Sequence, residues 1–321
     1  MTVGVASRLE KSGVSRLRLE ASGSGGYPMA DQAQLDRLRI VVVAEDSVQY
    51  ESPYLGQHGV SFFVTADRGS TTRHVLVDVA QNPDALLENM KHMDIVPSSV
   101  DAIVLTHCHY DHTHGVARVI EAIGKQDLPV IAHPDIFRLH FVSDPYLKHI
   151  GVMEGDKRPD IEAAGGKLYW TRDPLEIMPG LMTTGEVKRQ TDFEEVGMRL
   201  FTMENGRLHG DLMLDDISVI ANVKDKGIVI VTGCSHAGIV NITKQATELT
   251  GGEEVHAILG GLHLIEASDT RIKKTVQGLQ KFSPNWISAG HCTGFRAQVS
   301  LYTTFKDRFF PLQTGVRFNV L

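Results

Sequence analysis

Two sheets with helices on their outer faces, in one α/β domain, are what this sequence predicts. Strand and helix signals alternate from Leu38 onward, the pattern of an α/β chain. Apolar residues make up 42% and charged residues 22%, ordinary globular usage that argues against a largely disordered chain. The densest chemistry, four histidines between His107 and His114, falls where a strand gives way to a helix. At 321 residues the chain could hold about two domains, but layered α/β folds run larger than the common domain size.

The elements follow in order. Residues 1–34 contain Arg8, Lys11, Arg16, Arg18 and the run Ser22-Gly23-Ser24-Gly25-Gly26 without sustained periodicity, and are expected to be a flexible leader. A catalytic domain is expected over 35–321. Ile40–Ala44, Val60–Thr65 and His74–Val79 are β-branched or aromatic runs, the last two joined by the turn signal 66–70. Asn82-Pro83-Asp84 opens a helix: a cap, a proline at the first helical position, and an acid in the first turn. Ala102–Thr106 is a strand, Gly115–Gly124 a helix closed by glycine, and Leu128–Ala132 a strand. Prolines 134, 145, 159, 174 and 179 break the pattern, so an irregular insertion is expected near 134–182. Ile217–Val223 and Gly227–Thr232 make a hairpin. Helices at 238–249, 268–282 and 295–305 then alternate with strands at 255–259 and 286–289.

The bulk numbers exclude several function classes. A net charge of −7 offers no general attraction to nucleic acid or an anionic membrane. No apolar run approaches the roughly 18 residues of a membrane span. Three cysteines in so long a chain are no disulfide framework, which points to a reducing, cytoplasmic setting. Fifteen histidines point to metal.

The decisive stretch is Thr106-His107-Cys108-His109-Tyr110-Asp111-His112-Thr113-His114. Side chains two apart in an extended segment point the same way, so His107 and His109 can share one ion. Asp111 and His112, on the tightening turn, face a second. Such a mixture of imidazole and carboxylate leaves open positions for water and substrate. A merely histidine-rich polar loop is the rival reading, and this order at this turn disfavours it. Asp78, ending its strand, is expected to hydrogen-bond a ligand histidine and set its tautomer.

His-x-His-x-Asp-His after a strand resembles the signature of the metallo-β-lactamase superfamily, which implies an αββα four-layer sandwich with metals at one sheet edge. Val75-Leu76-Val77-Asp78 and Gly290-His291 look like that superfamily's strand ending in Asp and its last ligand histidine. Gln57-His58-Gly59, Thr184-Gly185-Glu186-Val187, Gly233-Cys234-Ser235-His236-Ala237-Gly238, Gly260-Gly261-Leu262-His263 and His291-Cys292-Thr293-Gly294 resemble a subgroup named for a dihydropterin-ribofuranosylaminobenzene-phosphate synthase. The chain departs from the common pattern: Thr184-Gly185-Glu186 stands where a histidine is usual, and Thr232-Gly233-Cys234 where a bridging Asp is usual. His236 is therefore expected to supply the missing imidazole. A residue that merely caps the following helix is its alternative. Cys234 is either a thiolate ligand or a residue packed beneath the site.

Metal is expected on His107, His109, Asp111, His112, His236 and His291, all but His236 as the resemblance implies; Asp111 and His263 are expected to be catalytic, with a structural histidine as the alternative for His263. His58, Glu186 and Asp216 are expected to meet substrate, although Glu186 and Asp216 could equally be surface acids. Cys108 and Cys292 are expected to pack away from the ligands. Two divalent ions are implied, zinc first, with iron or manganese as alternatives. The expected partner is a small phosphorylated or pterin-like molecule, in a chain that could form oligomers. Transfer on such a substrate competes with plain hydrolysis of a phosphodiester, lactone or ester, and with iron redox chemistry. No Cys-x-x-Cys or Gly-x-Gly-x-x-Gly motif supports the last. A non-catalytic binding module is the fourth reading.

Overall fold

The computed structural model describes residues 33–196 and 199–321. The expected leader falls almost wholly outside them. Among the described residues two seven-stranded sheets face one another. The first runs Arg317–Val320, Arg37–Ala44, Ser61–Arg68, Thr71–Val77, Ala102–Val104, Leu128–Ala132, Gly166–Trp170. The second runs Phe309–Pro311, Trp286–Gly290, Val255–Gly261, Gly227–Thr232, Ser218–Val223, Leu181–Thr183, Glu176–Met178.

Apolar runs without alternation form these strands because both faces of each sheet are covered. Ile40, Val42, Phe62 and Val64 of the first sheet pack with Val219, Val229, Val231 and Leu259 of the second, a core between the sheets. The alternate residues Val43, Phe63, Leu76 and Ile103 face Leu86, Met90, Val116 and Ile120 of helices Pro83–His92 and Val116–Ile123. Ile230, Ile258 and Ile287 of the second sheet meet Ile242, Ile272 and Leu301 of helices Ile239–Leu249, Asp269–Phe282 and Phe295–Phe305. Helix, sheet, sheet, helix: the expected four layers are present. Asn82 caps the first helix through the backbone N–H groups of Asp84 and Ala85.

The stretch near 134–182 is not a free-standing insertion. Gly166–Trp170 closes the edge of the first sheet, while Glu176–Met178 and Leu181–Thr183 close that of the second. His140–Val142 and Lys148–His149 join Leu200–Glu204 and Arg207–Gly210 in a small third sheet. These strands escape the sequence pattern because they are two to five residues long and exist through their partners. Among the described residues no helix is long and apolar enough to cross a membrane.

Candidate metal centre

Parallel strands put their carboxyl ends on one edge, the usual place for a site in an open α/β sheet. In the first sheet Thr71–Val77 and Ala102–Val104 run parallel and end in Asp78 and in the Thr106–His112 turn. In the second, Gly227–Thr232, Val255–Gly261 and Trp286–Gly290 run parallel and end in Cys234–His236, His263 and His291. Each ligand candidate thus leaves a strand anchored in the core. The local backbone is strained for it: Asp78, Ser235, His263 and His291 all adopt positive φ.

His107, His109 and His236 each bring one ring nitrogen to within 4.8 Å of the others, and all three are buried. The Thr106 hydroxyl donates to Asp78 Oδ2 at 2.7 Å, so it accepts from His107 Nδ1 at 3.0 Å. That leaves His107 Nε2 bare, and it has no protein partner, nor has either nitrogen of His236 or His263. Burial, then the neighbouring imidazoles, hold His107 well below the usual histidine range. Burial does the same for His236, with His263 adding to it. Neutral rings keep the lone pairs a metal takes.

Beside them His112 donates Nδ1–H to Asp78 at 2.7 Å, and its Nε2 stands 3.2 Å from Cys234 Sγ and 3.5 Å from Asp111 Oδ2. His291 donates Nδ1–H to Asp46 at 2.6 Å, with Nε2 3.2 Å from Asp111 Oδ2. His58 donates to the other Asp46 oxygen at 2.9 Å and sets Nε2 3.4 Å from Asp111. Burial pushes Asp111 up, yet the charge of His112 and a hydrogen bond from His291 outweigh it and hold the carboxyl well below its usual value. Carboxylates therefore orient three rings so that each Nε2 faces Asp111. Orphaned nitrogens, an ionised acid and a thiol within reach of one another are a donor set that fits divalent ions.

The structure brings together His107, His109, Asp111, His112, His236, His263 and His291, with His58 at the rim and Asp78 beneath. Cys234 lies against His112. Two expected substrate contacts are displaced. Glu186 binds the Arg172 guanidinium and His133 Nε2 (2.8 Å) at a separate surface groove. Asp216 is buried and accepts the Ala237 N–H at 2.8 Å, bracing the His236 loop from below; burial lifts its carboxyl to about 7. Cys108 packs inside as expected, whereas Cys292 lines the cleft. The sequence gives neither Asp46 nor His140 a functional role. Asp46 lies two residues past the strand Arg37–Ala44, much as Asp78 directly follows Thr71–Val77, a placement that could have flagged it; His140 carried no local signal.

Above the cluster opens a cleft of about 460 Å³, walled by Tyr110, Tyr146, Lys148 and Ile265 with His263 and His291 at its floor. Tyr110 lies under the Lys148 ammonium at 5.5 Å.

Residues 64–151 match the family model described as a beta-lactamase superfamily domain. The chain is 38% identical, over 88% of its length and 96% of the relative's, to the 7,8-dihydropterin-6-methyl-4-(β-D-ribofuranosyl)-aminobenzene-5′-phosphate synthase of Methanocaldococcus jannaschii. An uncharacterised protein of the same organism is 32% identical over 82% of this chain and 93% of its own. A crystal structure described as a metal-dependent hydrolase of the beta-lactamase superfamily superposes with a TM-score of 0.73 at 24% identity, covering 88% of this chain and 99% of its own. With these likenesses added to four layers and a histidine cluster at the strand ends, the chain belongs to the metallo-β-lactamase superfamily, in the family of the Methanocaldococcus synthase, and is a metal-dependent enzyme.

Proposed function

We propose that this enzyme joins a pterin to a phosphorylated arylamine with two divalent metal ions, zinc in the first instance. The 38% identity to a synthase so named, spanning nearly all of that relative, is the observation that carries the reading. One ion would be held by His107, His109 and His236, the other by Asp111, His112 and His291 with Cys234 beside it. When bound, the ions supply Lewis acidity and neutralise anionic oxygens of the substrate.

In the reaction proposed, a carbon–nitrogen bond forms between the pterin methyl carbon and the arylamine. The carbon–oxygen bond to a pyrophosphate leaving group breaks, and the amine gives up a proton. His263, with both ring nitrogens unpartnered at the cleft floor, is placed to take it. Tyr110 and Tyr146 offer aromatic faces to flat rings, and Lys148 offers a cation to the phosphate. His58 and Asp46 orient groups at the rim.

The test is to supply the purified, metal-analysed protein with a pyrophosphorylated hydroxymethyl-dihydropterin and a ribofuranosylaminobenzene phosphate. Coupled product and released pyrophosphate in equal amounts are expected, with loss of both in His263→Ala. Hydrolysis of a phosphodiester or lactone without any coupling would replace this reading by the hydrolase one.

A further inference from the structure

The strand Val255–Gly261 lies between Gly227–Thr232 and Trp286–Gly290, and just past the ends of those two flanking strands stand Cys234 and Cys292. Neighbouring strands run about 4.8 Å apart, so a strand between two others holds them about 10 Å from one another. Beyond the strand ends that separation collapses. Cys292 Sγ donates to the Cys234 carbonyl at 3.6 Å and accepts the His263 N–H at 3.3 Å. The two sulfurs lie within 4.8 Å of one another. Gly261 is what lets them meet: a Cβ there would stand 2.6 Å from Cys292 Sγ and 3.4 Å from Cys234 Cα.

The reaction proposed above gives Cys292 no task. It lines the cleft, whereas Cys234 and Cys108 are buried. Sulfurs that start this close reach the roughly 2.05 Å of a disulfide by side-chain rotation.

We propose that Cys234 and Cys292 are a dithiol that hydrogen peroxide converts to a disulfide across the end of Val255–Gly261, drawing Cys234 away from His112 and the ion beside it. Cys292, on the cleft, meets the oxidant first. Its sulfur takes one peroxide oxygen and becomes a sulfenic acid, and the other oxygen leaves as water. Cys234 then attacks that sulfur, the S–O bond breaks, and a second water leaves. The two thiols lose two electrons and two protons, and one peroxide becomes two waters. A disulfide sulfur is uncharged, and the thiolate is the form that holds metal. The effect on the ion rests on the place given to Cys234 under the proposed function; the disulfide itself does not.

The test exposes the zinc-loaded protein to hydrogen peroxide, blocks the remaining thiols with iodoacetamide in denaturant and weighs the peptides. Free thiols should fall from three to one, the survivor being Cys108, with a Cys234–Cys292 cross-link and release of about one equivalent of zinc. A phosphine reductant with added zinc should restore both the thiols and the ion. Cys292→Ser should keep its zinc under the same treatment, while Cys108→Ser should still cross-link. Chelator-stripped protein, in which zinc cannot shield Cys234, should cross-link faster. Three free thiols in both forms, or Cys292 oxidised alone to a sulfinic acid, overturns the dithiol. A cross-link that forms with all zinc retained leaves the dithiol standing and overturns the place of Cys234 beside the ion.

Discussion

Asp78 accepts from the Thr106 N–H, the Thr106 hydroxyl and His112 Nδ1, each at 2.7 Å, with no exposure to solvent. Its left-handed backbone costs about 1–3 kcal/mol, which these three bonds offset. Asp78→Ala strands the buried donors of Thr106 and His112, and each such orphan costs about 1–3 kcal/mol. A stability loss of about 3 kcal/mol or more is expected by denaturant titration, with zinc affinity down about 10- to 100-fold. A variant that binds zinc as the parent does would contradict the role given to Asp78. The residues of the His-x-His-x-Asp-His turn were legible because their geometry is local: a strand, then a tightening loop. Asp78 was legible through its place at the end of a strand, which the family resemblance marks, although its partners Thr106 and His112 lie about 30 residues away. Asp46 and His140 were not, because their partners, His291 and Asp211, arrive only when distant strands close. Glu186 was misplaced because its position in the family's order says nothing of Arg172, which takes its carboxylate.

Where Gly227–Thr232 hands over to the Cys234 loop, Gly233 is the element that lets the two sheets approach. A Cβ there would stand 2.2 Å from the Thr106 hydroxyl and 2.8 Å from Asp78 Oδ2. Gly233→Ala must push the Cys234–His236 loop away from the Thr106 turn. The expected cost is about 1–3 kcal/mol, read as a lower melting temperature, together with weaker zinc binding. A melting temperature equal to the parent's would show that the loop yields freely. Most strands and helices longer than about five residues were visible in the sequence, since burial of one or both faces leaves a periodic or continuous apolar trace. The helix opened by Asn82-Pro83 was visible through its cap. The short strands of 134–183 left no trace, since backbone pairing with a neighbour, and not their own composition, holds them.

Across the whole molecule, a cluster of charges outside the metal centre also ties the two sheets together. His133 and Arg172 follow strands of the first sheet, and Glu186 follows a strand of the second. Burial is the largest single influence on the Glu186 carboxyl and raises it, but the hydrogen bonds and charges of His133 and Arg172 together outweigh it and hold it below its ordinary 4.5. A depressed carboxyl stabilises the fold above its unfolded pKa and loses that contribution as pH falls through the folded value. Glu186→Gln should therefore lower the urea midpoint at pH 7, a stability loss of about 1 kcal/mol or less for so exposed a cluster. The gap between variant and parent should close as pH falls below 4.5 and through the lowered value of the folded carboxyl. An equal gap at both pH values would show that the lost contact is steric.

The first sheet also contains a consequence for how the chain is made. Its strand Arg37–Ala44 pairs on one side with Ser61–Arg68 and on the other with Arg317–Val320, Leu38 lying opposite Val320. During synthesis the near partner emerges almost at once, while the far one arrives after every other strand of both sheets. Until then the outer row of N–H and C=O groups on Arg37–Ala44 has nothing to bond but water or another nascent chain. Among the described strands, the one that emerges last is thus the one that seals the one that emerges first, and the interval between them leaves that edge open to pairing with other copies of the chain.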